Sequence, residues 1–333
     1  MRANLTTARL LLRPLAAADE AIWLYTFNRP EVAHWLSQPP FPYTDADFAA
    51  FLATASTRAL WVIEDESGAC GSVALNPALG YWLAPRVQGR GYMLEAAQAV
   101  LADHFADPAA NEVRSGHFEG NTASARVLTR LGFTETVRTL ELCRPLGRKR
   151  PHVGMSLNRE GYAAANPFRL TTQHLLLDPV SAADAPAIRR IVTDPRVGRM
   201  LFVFPPDLSE EGARDLAQGW RWMGTPPFRL AMRDAAGGAL IGTIGLRSLD
   251  DPEIYYFLAP ERHGQGLMRE ALAAFIAAII ARFGLVRLTA KVFADNSASA
   301  RLLVAQGFRP GAAALQASPA RAAPTPAIFY ERP

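Results

Sequence analysis

Short apolar runs alternate with amphipathic stretches along this chain, and the alternation predicts a mixed α/β fold made twice. Residues 10–12 read as a strand, followed by a helix that breaks at Pro30 and a second helix starting at Thr44, a good N-cap. Strands are expected at 60–64, 71–75 and 80–83. A helix follows over 93–104, then a strand on which Val113, Ser115 and His117 alternate, a helix running from Asn121 to Gly132, and a terminal strand over 153–157. The second half repeats this order. Its strands fall at 175–177, 228–233, 240–246, 254–258, around Leu288, Ala290 and Val292, and at 327–330. Its helices open at the Ser181/Asp184 box, break at Pro195, restart at Ser209, and continue over 268–282 and from Asn296 to Gly307. The helix over 268–282 is apolar almost all round, which predicts burial on every side.

The two halves keep a register. Leu5-Thr6-Thr7 returns as Leu170-Thr171-Thr172, 165 positions on, and Tyr81-Trp82-Leu83-Ala84-Pro85 returns as Tyr256-Phe257-Leu258-Ala259-Pro260, 175 on. The larger shift then holds for Gly89/Gly264, Gly91/Gly266, Glu95/Glu270, Asn121/Asn296, Ser124/Ser299 and Gly132-Phe133/Gly307-Phe308. So long a period indicates tandem whole domains, expected at 5–162 and 168–333 with a junction in the Ala-rich stretch 160–167.

Composition narrows the class. Half of the 333 residues are apolar and 20% are charged, with no long polar tract, so a sizeable core is expected in each half. The net charge of +4 comes from the second half, and the only basic cluster, Arg144, Arg148, Lys149 and Arg150, reads as a solvated loop. Nucleic acid is therefore not the expected partner. Cys70 and Cys143 stand apart with no metal-ligand spacing, and nothing at Met1-Arg2-Ala3-Asn4 resembles a signal peptide, so reduced thiols in a cytoplasm and no metal are expected. The longest apolar run, 271–281, falls short of the roughly 18 residues a membrane span needs.

Two elements carry chemistry. Arg86-Val87-Gln88-Gly89-Arg90-Gly91 and Glu261-Arg262-His263-Gly264-Gln265-Gly266 each join a strand to a helix, where glycine lets backbone N–H groups approach an anion at a helix N-terminus. Alone, the glycines also fit a tight turn. Asn121-x-x-Ser124-x-Arg126-x-Leu128-x-x-x-Gly132-Phe133 and its copy from Asn296 also read as a capped and terminated helix.

Together, in order and twice over, these elements resemble the GNAT acyl-CoA-dependent N-acetyltransferase superfamily, and more narrowly the branch acting on ribosomal-protein N-termini and small amines. The resemblance implies, in each copy, a twisted, mostly antiparallel sheet flanked by helices, with two strands splayed to admit acetyl-CoA. It further implies that the backbone of Trp82 and Leu83 bonds the pantetheine and thioester carbonyl, that Gln88, Gly89, Arg90 and Gly91 cradle the pyrophosphate, and that Asn121 and Ser124 hold the pantetheine arm. Phe257, Leu258, His263, Gly264, Gln265, Gly266, Asn296 and Ser299 correspond in the second copy. The acceptor pocket is expected near His34, Trp35, Phe41 and Tyr43, and near Phe202, Phe204, Trp220 and Trp222.

An amine must lose a proton to attack, and His117 is the expected base, with Glu119 as runner-up. The second copy has Val292 in place of His117, leaving Glu253 and Asp295 as weaker candidates. The tyrosine that many GNAT domains place in the last helix is absent, so thiolate protonation is unassigned. Glu261 replaces Arg86, a repulsive charge near a pyrophosphate that Arg262 could offset, which marks the second copy as the candidate for degeneration. The leading expectation is acetyl transfer to a primary amine by a monomer of pseudo-dimeric domains or a loose homodimer. The rival is an acyl-CoA-binding sensor or scaffold.

Overall fold

The computed structural model describes residues 4–55, 59–75, 77–107 and 109–333, so Met1, Arg2 and Ala3 of the N-terminal reading lie outside the described residues. The chain forms two compact units, Met1–Asn166 and Pro167–Pro333.

In the first unit, β1 (Leu5–Thr6), β2 (Leu11–Arg13), α1 (Glu20–Phe27), α2 (Pro30–Ala33) and α3 (Asp45–Ala55) lead into β3 (Leu60–Asp65), β4 (Gly68–Leu75) and β5 (Leu79–Leu83). Then come α4 (Tyr92–Ala106), β6 (Glu112–Phe118), α5 (Thr122–Leu131), β7 (Thr134–Cys143), β8 (Arg148–Asn158) and α6 (Arg159–Ala165). Strands β1 to β5 pair antiparallel in chain order, and β6, β8 and β7 form a second antiparallel sheet. Pro30 ends one helix and starts the next, because at N1 its missing N–H costs nothing. Helix α4 buries Met93, Ala96, Ala97, Val100, Leu101 and Phe105, one helical stripe, against β-sheet residues such as Ile63, Val73 and Val113.

The second unit repeats the order with β9 (Leu170–Thr171), β10 (Leu175–Pro179), α7 (Ala185–Val192), α8 (Pro195–Gly198), α9 (Glu210–Gly219), β11 (Phe228–Asp234), β12 (Gly242–Leu246) and β13 (Ile254–Leu258). It closes with α10 (Leu267–Phe283), β14 (Leu288–Phe293), α11 (Ser297–Ala305), β15 (Arg309–Gln316) and β16 (Thr325–Arg332). The Ser181/Asp184 box forms as expected, Asp184 accepting from the Ser181 N–H at 2.9 Å. Two expectations are corrected. The strand expected at 240–246 begins at Gly242, since Leu240 and Ile241 still belong to the turn. Nor is α10 buried on every side: Ala273, Ala277 and Ala281 face solvent together with Arg269 and Arg282 at its two ends.

A charge network packs the first sheet of each unit, with its polarity reversed between them. In the first unit Arg13 on β2 bonds the buried Asp19 carboxylate at 2.7 and 2.9 Å and reaches Glu64 on β3. In the second unit the arginine is on the other strand: Arg233 on β11 bonds Asp184 at 2.8 and 3.0 Å and Asp178 on β10 at 2.9 Å. Removing either arginine would strand a buried carboxylate, at a cost of about 3–5 kcal/mol.

What positions the site is where the two sheets of each unit meet. Among the described residues, edge strands β5 and β6 share one parallel bridge, Ala78↔Arg114, and Ser115 Oγ donates to the Leu79 carbonyl at 2.8 Å; beyond that the strands part. Glu253↔Thr289 does the same for β13 and β14.

Candidate functional site

Each parted strand pair opens beside the loop that leads into the long helix. Gly89 and Gly91 take φ of +78°, and Gly264 and Gly266 take +75° and +77°, the left-handed region open to glycine. The turn closes through Val87 and Gln88, whose N–H groups donate to Ala84 and Pro85. Among the described residues no protein group accepts from the N–H groups of Gly89, Arg90 or Gly91, and no side chain caps α4. The first helical N–H groups lack partners by the geometry of any α-helix. The result is a concentration of free donors at the positive end of a 15-residue helix, suited to an anion. Gly264, Gln265 and Gly266 repeat the arrangement before α10.

The side chains of this loop serve the protein. Gln88 Nε2 donates to the Leu83 carbonyl at 3.0 Å, and His263 Nε2 meets the Leu258 carbonyl at the same distance, each tying the loop to the end of the strand. Arg86 is turned away onto Asp65 and the carbonyls of Gly68 and Ala69. In the second unit Arg262 takes over that tie, bonding Asp234 at 2.6 Å, so it does not offset Glu261; Arg190 does, at 2.7 Å. Glu95 anchors the loop from below: it accepts from the Thr7 hydroxyl and the Arg9 N–H and pairs with Arg9, whose guanidinium also donates to the Arg90 carbonyl. Glu270 does the same for Thr172 and His174.

Trp82 and Leu83 end β5, an edge strand whose alternate backbone groups face the gap. The ring of Trp82 is core, edge-on to Trp23 at 4.7 Å, and Phe257 packs similarly against Phe204 and Trp220. A glycine across the ladder lets the strand bend here: a Cβ on Gly71 would stand 2.6 Å from the Trp82 oxygen, and one on Gly242 2.5 Å from the Phe257 oxygen.

Asn121 and Asn296 cap α5 and α11, each accepting from the N–H three residues on at 3.1 Å, and the Asn121 Nδ2 donors find no partner among the described residues. Ser124 and Ser299 meet phenols that the sequence reading missed, Tyr81 at 2.9 Å and Tyr256 at 2.6 Å, each pushed up to about 12 by burial. These pairs lie 43 residues apart in sequence, and the Y-W-L and N-x-x-S motifs were read separately.

The base candidates separate by face. His117 shares its face of β6 with Val113 and Ser115, and its Nδ1 lies 3.0 Å from the Phe118 carbonyl. His152, hidden in the basic run R-K-R-P-H, sits on the other face, its ring filling the space a Gly116 side chain would occupy and edge-on to Phe118. Burial lowers the His152 pKa, Glu141 opposing and His117 adding to the effect. Glu119 is paired with Arg138 at 3.1 Å. In the second unit Val292 is buried, Glu253 pairs with Arg247 at 2.9 Å, and Asp295 is held below its ordinary pKa chiefly by the Arg321 hydrogen bond.

On the His152 face, α2 with His34 and Trp35 faces the β7–β8 hairpin across a pocket of about 380 Å³ lined by Pro30, Glu31, His34, Trp35, Leu146, Arg148 and Arg150. Phe41 stands edge-on to His34, whereas Tyr43 belongs to the core under α1. Among the described residues no group of three His, Cys, Asp or Glu could hold a metal ion, and no helix is long and apolar enough to cross a membrane.

The family model described as "Acetyltransferase (GNAT) domain" matches residues 9–134 and again 174–309. The chain therefore belongs to the GNAT acetyltransferase family, with the family domain present twice. Among curated relatives, YoaA of Bacillus subtilis (strain 168), described as an uncharacterized N-acetyltransferase, is 39% identical over 74 residues, which span 21% of this chain and 42% of the relative's length. Solved structures similar to it include a GNAT-family acetyltransferase from Bacillus anthracis (19% identity, 49% of this chain and 97% of that one, TM-score 0.43). Another is Mycobacterium smegmatis RimJ in complex with CoA-disulfide (20% identity, 45% and 82%, TM-score 0.40).

Proposed function

We propose that the first unit moves an acetyl group from acetyl-CoA to a primary amine, of a protein N-terminus or a small molecule, by direct attack in a ternary complex, with residues 5–162 and 168–333 as the two acyl-CoA-binding domains. The observation that carries this is the row of N–H groups at Gly89, Arg90 and Gly91 left without protein acceptors at a helix N-terminus, beside strands that part. Acetyl-CoA supplies the activated acyl group. The cradle fits its pyrophosphate, the free Asn121 amide fits an amide oxygen of its pantetheine arm, and the open edge of β5 at Leu83 offers a backbone donor to a thioester carbonyl, the Trp82 N–H being turned toward β4. Attack requires a neutral amine, so a base must take its proton. His117 keeps Nε2 for that task if Nδ1 donates to Phe118, and His152, its pKa lowered by burial and its ring on the pocket's face, is the alternative the sequence reading missed.

The second unit keeps the cradle but has Val292 and Ala327 where the first has His117 and His152, and its two carboxylate candidates are ion-paired. This supports acyl-CoA binding without turnover there. The reading suits a cytoplasmic protein whose partners are acetyl-CoA and an amine.

The test follows thiol release from acetyl-CoA over a panel of amines. Release is expected to be abolished by Asn121→Ala and by Gly89→Trp, and to survive Asn296→Ala. A histidine base gives kcat/KM an acid limb, below pH 6.5 if the base is His152, and only the substitution of the true base removes it. Tight CoA binding with no thiol released from any amine would establish the sensor reading instead.

A further inference from the structure

The pocket beside Trp35 carries unneutralised positive charge. Arg150 stacks its guanidinium over Trp35 at 4.7 Å and Phe118 at 5.0 Å and donates to the His34 carbonyl at 2.5 Å. It forms no ion pair among the described residues, since Glu141, opposite it across the ladder, lies against His152 at 3.4 Å instead, and Arg148, exposed at the pocket's rim, has neither an ion pair nor a hydrogen bond there. The pocket's one acid, Glu31, leans on Arg29 instead, at 3.6 Å. Elsewhere Arg13, Arg86, Arg233 and Arg262 each meet an acid, whereas the buried Arg229 stacks on Trp220 and Tyr255 and bonds the Thr243 hydroxyl instead. The second unit shows the contrast in place. There Arg321 lies over Phe293, the counterpart of Phe118, but it is neutralised by Asp295 at 2.8 Å. A stacked guanidinium is held flat with its N–H edge presented, which suits two-point bonding to a carboxylate better than a mobile ammonium would.

The pocket also adjoins the acyl site. The Trp35 ring stands 3.7 Å from where a Gly120 side chain would begin, and Gly120 precedes Asn121. Resting on the acetyl-transfer reading of this unit, we infer that the acceptor is an anionic amine, its carboxylate seated by Arg148 and Arg150 and its amine directed past Trp35 toward Asn121. Free acidic amino acids and acidic peptide N-termini share this chemistry.

The experiment measures binding to the full chain by calorimetry for two pairs of probes, glutamate against glutamine and Ser-Glu-Glu against Ser-Gln-Gln, and then their acetylation. The acidic member of at least one pair is expected to bind about tenfold more tightly, the scale of one charge-assisted contact. Arg148→Gln should shrink that preference severalfold and raise KM for the acidic probe. Lys149→Gln, the same charge change on the opposite face of β8, should leave it intact. A preference confined to one pair identifies the source as amino acid or peptide. Equal binding of acidic and neutral probes, or an equal loss in both variants, overturns the inference. Absence of acetylation from every probe counts against the transferase reading alone, because the binding comparison still decides this one.

Discussion

Gly71→Ala is a small change whose consequence can be worked from distances. A methyl at Gly71 would lie 2.6 Å from the Trp82 carbonyl oxygen and from Leu83 Cδ2, and 3.3 Å from Leu83 Cα. The leucine methyl can rotate away, but the carbonyl and Cα are backbone. Restoring an ordinary C···O contact of about 3.3 Å requires β4 and β5 to part by roughly 0.7 Å at that point. Overpacking of this kind costs about 1–3 kcal/mol, which in a unit of this size lowers its melting temperature by several degrees, on the order of 5 °C. The functional cost should be larger than the thermal one. The displaced segment is the strand end expected to meet the thioester, and an error approaching 1 Å in a reacting geometry costs up to about 100-fold in rate. The control is Gly80→Ala on the partner strand β5, where a Cβ meets nothing within 4 Å and stability should stay within about 0.5 kcal/mol of the parent. Calorimetric melting and thiol release on both variants settle the matter. If Gly71→Ala melts and turns over like Gly80→Ala, then the close approach of the strands does not set the site.

The Glu270 anchor gives a pH prediction. Burial raises its pKa, but hydrogen bonds from Thr172 and His174 outweigh that and leave it at about 2 against an ordinary 4.5. A carboxylate depressed by folding stabilises above its unfolded pKa, so this contribution should be complete above pH 4.5 and vanish as pH falls toward 2. Melting curves of the parent and Glu270→Gln should therefore converge in acid and separate above pH 4.5; a constant gap would refute the anchor. Arg229, buried with its Nε unbonded, lies 4.2 Å from Trp220 and 4.1 Å from Tyr255. If stacking rather than charge pairing holds it, Arg229→Met should destabilise less than Arg229→Lys, which keeps a buried charge without the flat faces. Thermal melting that ranks them the other way round would count against this.

The repeat made much of this molecule legible from its sequence, because what the cradle demands is written in residues with no substitute. Gly89, Gly91, Gly264 and Gly266 are needed at positive φ, and Asn121 and Asn296 cap whatever helix follows them. What stayed hidden depends on register. His152 is one histidine in a basic run until the pairing of Phe118 with His152 places it opposite the pocket's aromatic wall. Strand β7 carries no burial alternation, since nine of its ten residues are exposed and a bulge between Glu135 and Val137 breaks its period. The charge network was invisible because its arginine and acid exchange strands between copies, so that Arg13 aligns with Asp178 and Glu64 with Arg233.

That exchange bears on how the second unit should be regarded. A unit losing its structural role would shed one partner of a buried pair and keep the other, yet here both sides changed together and the bonds survived. The tie from Arg86 to Asp65 was likewise replaced, by Arg262 to Asp234, and Glu261 gained Arg190. The substitutions that were not compensated lie on the acceptor side. There Val292 and Ala327 remove both imidazoles, and the segment 317–324 is drawn over Phe293 by Arg321, with Ser318 bonded to the Leu201 carbonyl at 2.7 Å. On the acetyl-transfer reading proposed above, the units therefore differ in what would reach an acyl group and accept the amine's proton, while the backbone proposed to hold the nucleotide is kept in both.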